Sequence, residues 1–107
     1  MCIRDRVDRA RTGRLSREEY HGGTFTVSNM GLYGVDRFTA VINPPQAAIL
    51  AVAAVGERPV VENGTVTTAN MMTCSLSVDH RVTDGVAAAE FLHTFKRLAE
   101  DPRLLLL

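Results

Sequence analysis

The sequence is short of several things, and each shortage excludes a class of protein. Cysteine is scarce: Cys2 and Cys74 are the only two. Two cannot build a disulfide framework, and so few favour a reducing compartment. Net charge is missing, because twelve Lys+Arg balance twelve Asp+Glu. A neutral chain carries no electrostatic footprint for nucleic acid or for an anionic membrane. Long apolar runs are missing too. The longest, residues 47–55, falls far short of the roughly 20 residues that a membrane span needs. The first residues are charged, not apolar, so no secretory leader is visible. Neither low-complexity tracts nor internal repeats occur. At 107 residues the chain has the size of one small domain or part of a larger one. These exclusions leave a soluble, cytoplasmic α/β chain as the expectation.

Lysine is equally scarce. Lys96 stands alone among eleven arginines, six of which lie between Arg4 and Arg17. Asp5, Asp8, Glu18 and Glu19 interrupt those six, so the run reads as a solvated helix face and not as a nucleic-acid patch. The opening Met1, Cys2, Ile3, Arg4, Asp5, Arg6 reads as the translation of ATG TGT ATA AGA GAC AGN. That resembles the end of a common transposase-based sequencing adapter. Residues 1–6 are therefore expected to be foreign, with native sequence from residue 7 onward and the N-terminal part of the protein missing.

What is present has clear local order. Residues 7–14 are charged and helix-compatible, with Gly13 as a stop. Ser16 and Glu19 have capping-box spacing, which predicts a helical turn near 16–20. Residues 24–28 alternate and predict a strand; residues 29–34 form a glycine-punctuated loop. Residues 41–46 begin extended and turn at Pro44 and Pro45. The apolar run 47–55 reads as a strand buried on both faces, with helix as the competing reading because of its alanines. Asn63 and Gly64 between β-formers at 60–62 and 65–68 predict a hairpin with a type I′ turn. Residues 71–78 predict one strand with Met72, Cys74, Leu76 and Val78 on one face. Residues 86–100 predict the longest helix, because Ala88, Phe91, Leu92, Phe95, Leu98 and Ala99 recur at helical spacing. Pro102 ends it, and the apolar tail 104–107 is expected to pack on something. This order predicts an α/β sandwich with a mixed sheet. One helix cannot cover every apolar strand face, which implies further chain or an oligomeric interface.

Few residues could carry chemistry. His80 sits where a strand gives way to a helix, between Asp79 and Asp84, with Gly85 allowing tight backbone approach. An imidazole can accept a proton at neutral pH; a histidine among charges can equally be a satisfied hydrogen-bonder. His80 and Asp84 stand four apart, but no second His or Cys has ligand spacing nearby, and His21 and His93 are isolated, so no metal is expected. Cys74, in mid-strand on the apolar face, reads as a small core residue. Ser28, at a strand end before a glycine loop, could make a local turn bond or donate to a developing oxyanion.

Three stretches then carry a resemblance. They are Gly22 to Gly31, Ile42 to Leu50 with its Asn43, Pro44, Pro45, Gln46, and above all Asp79 to Gly85. The last fits the pattern D-H-R-x-x-D-G. Together, in this order and spacing, they make residues 7–107 resemble the C-terminal half of the catalytic domain of dihydrolipoamide acyltransferases. Those enzymes form the core of the 2-oxo acid dehydrogenase complexes. The resemblance implies an α/β, chloramphenicol-acetyltransferase-like sandwich with a mixed β-sheet, incomplete in this chain and expected to be poorly stable and inactive on its own.

The resemblance also implies roles. His80 matches the family's catalytic base, which takes the proton of a thiol on coenzyme A or dihydrolipoamide. Ser28 matches the serine that hydrogen-bonds the tetrahedral oxyanion, a donor typically worth about 3–4 kcal/mol. Asp84 matches the second acid of the motif, which fixes the loop by ion pairing or helix capping and so aims His80. Asn29 shapes the loop beside Ser28. In the family the histidine of one subunit faces the serine of its neighbour in a homotrimer, and trimers build 24- or 60-subunit cores. The apolar C-terminal tail would suit a contact between trimers. The implied partners are a lipoyl domain bearing the lipoyl-lysine arm, the decarboxylase component and the dihydrolipoamide dehydrogenase component.

Ser28, Asn29 and the Asn-Pro-Pro-Gln stretch look most like the pyruvate type, which implies acetyl transfer. The 2-oxoglutarate type often has Thr at the position of Ser28, and the branched-chain type often lacks Asn-Pro-Pro-Gln. A non-catalytic core homologue is disfavoured by the intact His80, Asp84 and Ser28. A soluble acyltransferase with another acceptor, such as an antibiotic, is disfavoured by the two loop matches. His21 and Thr83 depart from common family residues without touching these roles.

Overall fold

The structure is a computed structural model that describes residues 2–106. Leu107, the last residue of the expected apolar tail, lies outside the described residues.

The chain begins with helix α1 (Ile3–Arg11) and a one-turn helix α2 (Arg17–Tyr20). α1 runs across the expected boundary at residue 6 without a break. Gly13, with φ of 68°, turns the chain after it. The capping box at Ser16 and Glu19 is formed. Glu19 also receives both ends of the Arg9 guanidinium at 2.6 and 2.7 Å, which ties α1 to α2. That pairing and the Ser16 N–H hold the Glu19 carboxyl below its ordinary range.

Five strands follow: β1 (Thr26–Asn29), β2 (Ala48–Val52), β3 (Gly56–Glu62), β4 (Thr65–Met71) and β5 (Cys74–Val78). They form a three-stranded sheet in the order β1-β2-β5 and a separate β3-β4 ribbon. β1 runs parallel to β2, and β5 antiparallel to it, so the expected mixed sheet is present. The competing helical reading of residues 47–55 is ruled out. β2 is the central strand, and Ile49, Leu50, Ala51 and Ala53 are the buried core. A strand covered on both faces suits an unbroken apolar run.

The expected single strand over 71–78 is two pieces. Met71 ends β4, opposite Gly56, and Cys74 begins β5, opposite Val52. At Thr73, whose carbonyl accepts the Ala53 N–H at 3.1 Å, the chain passes from the ribbon to the main sheet. Alternation continues across that corner, so the pattern gave no sign of it. The hairpin turns at Asn63 and Gly64, both at positive φ, as a type I′ turn requires.

Helix α3 (Gly85–Glu100) lays Ala88, Leu92, Phe95 and Leu98 half-buried against the sheet. Phe91 stacks on Phe25 with ring centroids 5.5 Å apart. A 3₁₀ turn (Pro102–Leu106) follows, and it leaves Leu105 and Leu106 largely exposed.

Candidate active site

Strand alternation decides which residues look where. Paired residues share a face of the sheet. Cys74 lines an apolar groove of about 530 Å³ together with Leu92 and Phe95 of α3. Cys74, Leu76 and Val78, with Val52, Leu50 and Ala48 opposite them, therefore face α3. Thr26, Ser28, Ile49, Ala51, Ser75 and Ser77 share the other face. The chain at Ala40 lies over that second face, since the Ser77 hydroxyl donates to the Ala40 carbonyl at 2.9 Å. Burial pushes the Cys74 thiol up from its ordinary value, as fits a packing residue and not a nucleophile.

Ser28 is half-buried near the end of β1, level with Ala51. Its hydroxyl has no partner among the described residues. The local turn bond open to it belongs instead to Asn29, whose Oδ1 accepts the Gly31 N–H at 2.9 Å. The Met30 N–H donates to the Val52 carbonyl, extending the β1–β2 ladder past Ser28. Glycine suits position 31: a Cβ there would stand a tight 3.1 Å from Asn29 Oδ1 and 3.2 Å from the Ala53 carbonyl oxygen.

His80 follows β5 in a tight turn. The Asp79 N–H donates to the Ala47 carbonyl at 2.8 Å. The Asp79 carbonyl accepts the N–H groups of Val82 and Thr83. Its carboxylate accepts the Arg81 N–H at 3.0 Å and the Arg81 guanidinium at 3.0 and 2.7 Å. Those bonds hold the Asp79 carboxyl down at about 2. His80 stands exposed at the apex, and its ring has no hydrogen-bond partner among the described residues. Asp84 ends the loop as the N-cap of α3, its Oδ1 accepting the Ala87 N–H at 2.9 Å. Of the two roles expected for Asp84, the structure displays the cap.

The structure brings His80 and Asp84 into one loop but sets Ser28 apart. Ser28, Ala51 and Ser75 lie at one level across the sheet. Asp79 is level with Ala47, roughly 13 Å further along the strands and two strands over, roughly 10 Å across. A base and an oxyanion donor must both come within ~3 Å of the reacting group. Ser28 and His80 of one chain cannot do so together.

Several supporting residues were not singled out by the sequence. Gln46 accepts the Thr26 hydroxyl at 2.5 Å and donates to the Gly23 carbonyl at 3.1 Å. It fastens the start of β1 to the turn at Pro44 and Pro45, while its neighbour Ala47 anchors Asp79. Only the place of Gln46 in a familiar pattern had drawn notice to it. Among the described residues no three His, Cys, Asp or Glu side chains gather as metal ligands. Nor is any described helix long and apolar enough to cross a membrane.

Comparison with known proteins gives this geometry a setting. A family model for the 2-oxoacid dehydrogenases acyltransferase catalytic domain matches residues 2–107. The chain is 46% identical over 105 residues to the dihydrolipoyllysine-residue acetyltransferase component of the pyruvate dehydrogenase complex of Rickettsia felis. That match covers 98% of this chain and 26% of the relative, so the chain spans about a quarter of that protein. Dihydrolipoamide acetyltransferase of Azotobacter vinelandii superposes with a TM-score of 0.92 at 36% identity, over 97% of this chain and 43% of that one. It was studied for the role of a serine, a histidine and an asparagine in its catalytic mechanism. The cubic core of a pyruvate dehydrogenase multienzyme complex superposes equally well, with TM-score 0.92, 36% identity and the same coverage. By sequence over nearly its whole length, and by fold, this chain belongs to the 2-oxoacid dehydrogenase acyltransferase family, in the catalytic domain.

Proposed function

We propose that the whole protein moves an acetyl group between a dihydrolipoyl-lysine arm and coenzyme A, with His80 as general base and Ser28 as oxyanion donor. One observation carries this reading. Ser28, His80 and Asp84 follow one another at the same intervals as the serine, histidine and asparagine studied in the Azotobacter vinelandii enzyme. The exposed, unpartnered imidazole fits a thiol arriving from solvent.

The steps balance as follows. The neutral imidazole of His80 takes the thiol proton of the acceptor, and the thiolate sulfur attacks the thioester carbonyl carbon. Thiols titrate near ~8.5, so a base in contact raises the thiolate share in the transition state. The carbonyl π pair moves onto oxygen, and the Ser28 hydroxyl donates to that oxyanion. The pair returns, the carbon–sulfur bond to the donor breaks, and the departing thiolate takes the proton from the imidazolium. No residue here ends changed.

Because Ser28 and His80 lie at opposite ends of the sheet, each site needs two chains. A cyclic homotrimer supplies this, with Ser28 of one chain beside His80 of the next. Assembly of trimers into a 24- or 60-subunit core is supported by the likeness to a cubic core. The exposed Leu105 and Leu106 after α3 suit a contact between trimers. The lipoyl domain, the decarboxylase and the dihydrolipoamide dehydrogenase are the partners this chemistry calls for. We place the protein in the bacterial cytoplasm, where the free thiol of Cys74 would stay reduced.

The test is an assay of acetyl transfer from acetyl-CoA to dihydrolipoamide by the full-length protein, with His80→Ala beside it. A loss of between ~10²- and ~10⁴-fold in kcat is expected. An active protein whose variant is unimpaired removes His80 from the mechanism.

A further inference from the structure

We infer that Asp79 and Arg81 are positioning residues for His80: the carboxylate of Asp79, clamped by Arg81, fixes the turn on which the imidazole stands. This rests on the reading of His80 as the base, and it assigns work to the two motif residues that this reading leaves idle.

The residues on either side of His80 are tied to each other. Asp79 Oδ1 accepts the Arg81 backbone N–H at 3.0 Å, which closes an Asx turn around His80. The same carboxylate takes the guanidinium through Nε at 3.0 Å and through a terminal nitrogen at 2.7 Å. The backbone of Asp79 is pinned on both sides, by its N–H to Ala47 and by its carbonyl to Val82 and Thr83. The side chains divide the labour. Asp79 is 20% exposed and Arg81 is 89% exposed, so the carboxylate is set into the turn and the guanidinium closes over it from outside. The carboxyl is held at about 2, so the clamp stays ionised wherever an imidazole titrates. An exposed arginine beside a catalytic histidine invites a role in gripping an anionic substrate. Here its fork is already engaged, bidentate, by its neighbour's carboxylate, the strong form of such a pair.

A base must sit within a fraction of an ångström of its proton, and a 1 Å misplacement can cost about 10²-fold. Asp79→Ala removes the turn acceptor and the clamp together. Asp79→Asn keeps an Oδ1 that can accept the Arg81 N–H and loses only the charge. In the full-length protein, Asp79→Ala is expected to lower kcat about 10²-fold. KM for acetyl-CoA and for dihydrolipoamide should stay within about twofold, and Tm and assembly should hold. Asp79→Asn should recover most of the loss, to within about tenfold of wild type. Arg81→Ala should lie between the two, again in kcat.

The closing experiment places Asp79→Ala in the His80→Ala background. A residue acting only through the imidazole has nothing left to position, so the second change should alter kcat less than twofold. Additive losses overturn the proposal, as does a rise in KM for acetyl-CoA with kcat unchanged, or an Asp79→Ala enzyme at wild-type rate. Failure of the underlying reading looks different: His80→Ala alone would then be unimpaired.

Discussion

The two ends of the three-stranded sheet hold their chemistry by different means. At the end that carries His80, ionised groups do the holding. Asp79 grips Arg81 through two guanidinium nitrogens and one backbone N–H, and Asp84 caps α3. At the end that carries Ser28, the bonds around the serine are neutral, and the ion pair of Asp36 with Arg58 lies beyond them, next to the Val35–Ala54 bond. The Asn29 carboxamide accepts from Gly31, Met30 extends the ladder to Val52, and a Cβ at Gly31 would crowd Asn29 and Ala53. The contrast fits the roles proposed for the two groups. A base at the apex of a turn is displaced by any freedom in its flanking residues, and charge-assisted bonds are the stiffest local restraint. A hydroxyl donor on a strand is already aimed by the ladder and needs only a close-fitting neighbour. Ser28, half-buried, would act in a drier place, where a neutral donor counts for more.

The largest effect that can break this comparison concerns the distance between the ends. Ser28→Ala alone should cost about 10²- to 10³-fold in kcat, and His80→Ala alone at least as much. If each site is shared by two chains, refolding the two variants together should restore roughly a quarter of the sites, those pairing an intact Ser28 with an intact His80. Differently tagged chains would confirm mixed trimers by sequential capture. Mixed trimers that remain as inactive as either parent would place both residues in one chain's site and contradict the register of the sheet.

The next effect is steric and tests the Ser28 end. Gly31→Ala brings a methyl to 3.1 Å from Asn29 Oδ1 and 3.2 Å from the Ala53 carbonyl. Those contacts are tight enough that the loop must shift by a few tenths of an ångström. A stability loss of about 1 kcal/mol is expected from such crowding, read as a lower urea midpoint at unchanged m. The kcat loss should be about tenfold, with the base end unaffected. Wild-type behaviour would mean that the loop after Ser28 is slack and that Gly31 has no part in aiming the hydroxyl.

Much of this was legible in the sequence, and what was not has physical reasons. Periodicity announced α3 because one face of it is apolar, and the Asn63–Gly64 turn announced the hairpin because few residues tolerate positive φ. β2 was legible as a strand only with helix beside it, since a strand buried on both faces shows no alternation. The corner at Met72 and Thr73 was hidden because two strands of the same parity met across it. His80, Asp84 and Ser28 stand out as candidates by their motif, but their separation does not, because register lies in pairing partners and not in spacing. Gln46, Asp79 and Arg81 stood in the quoted motifs without assigned work. Gln46 and the Asp79 N–H bond to residues distant in the chain or on another strand, Gly23 and Ala47, which no local pattern encodes. The Asp79–Arg81 clamp is local, but its spacing alone assigned it no task.

The smallest effect bears on how far charge matters at the His80 end. Asp84 and Asp79 are both carboxylates of one loop, yet they face different partners. Asp79 meets a guanidinium; Asp84 meets the Ala87 N–H and no cation within ion-pair distance among the described residues. A cap needs an acceptor oxygen, which asparagine supplies as well as aspartate. Asp84→Ala should therefore cost about 1 kcal/mol in stability, and Asp84→Asn almost nothing, with kcat within a few-fold of wild type. Thermal unfolding of the two variants in parallel separates the readings. If Asn fails as badly as Ala, the charge of Asp84 is what the loop uses, and both acids at this end work electrostatically. If Asn succeeds, the ionic character of the His80 end resides in Asp79 and Arg81 alone, and the loop's far side is held by the same neutral bonding that holds Ser28.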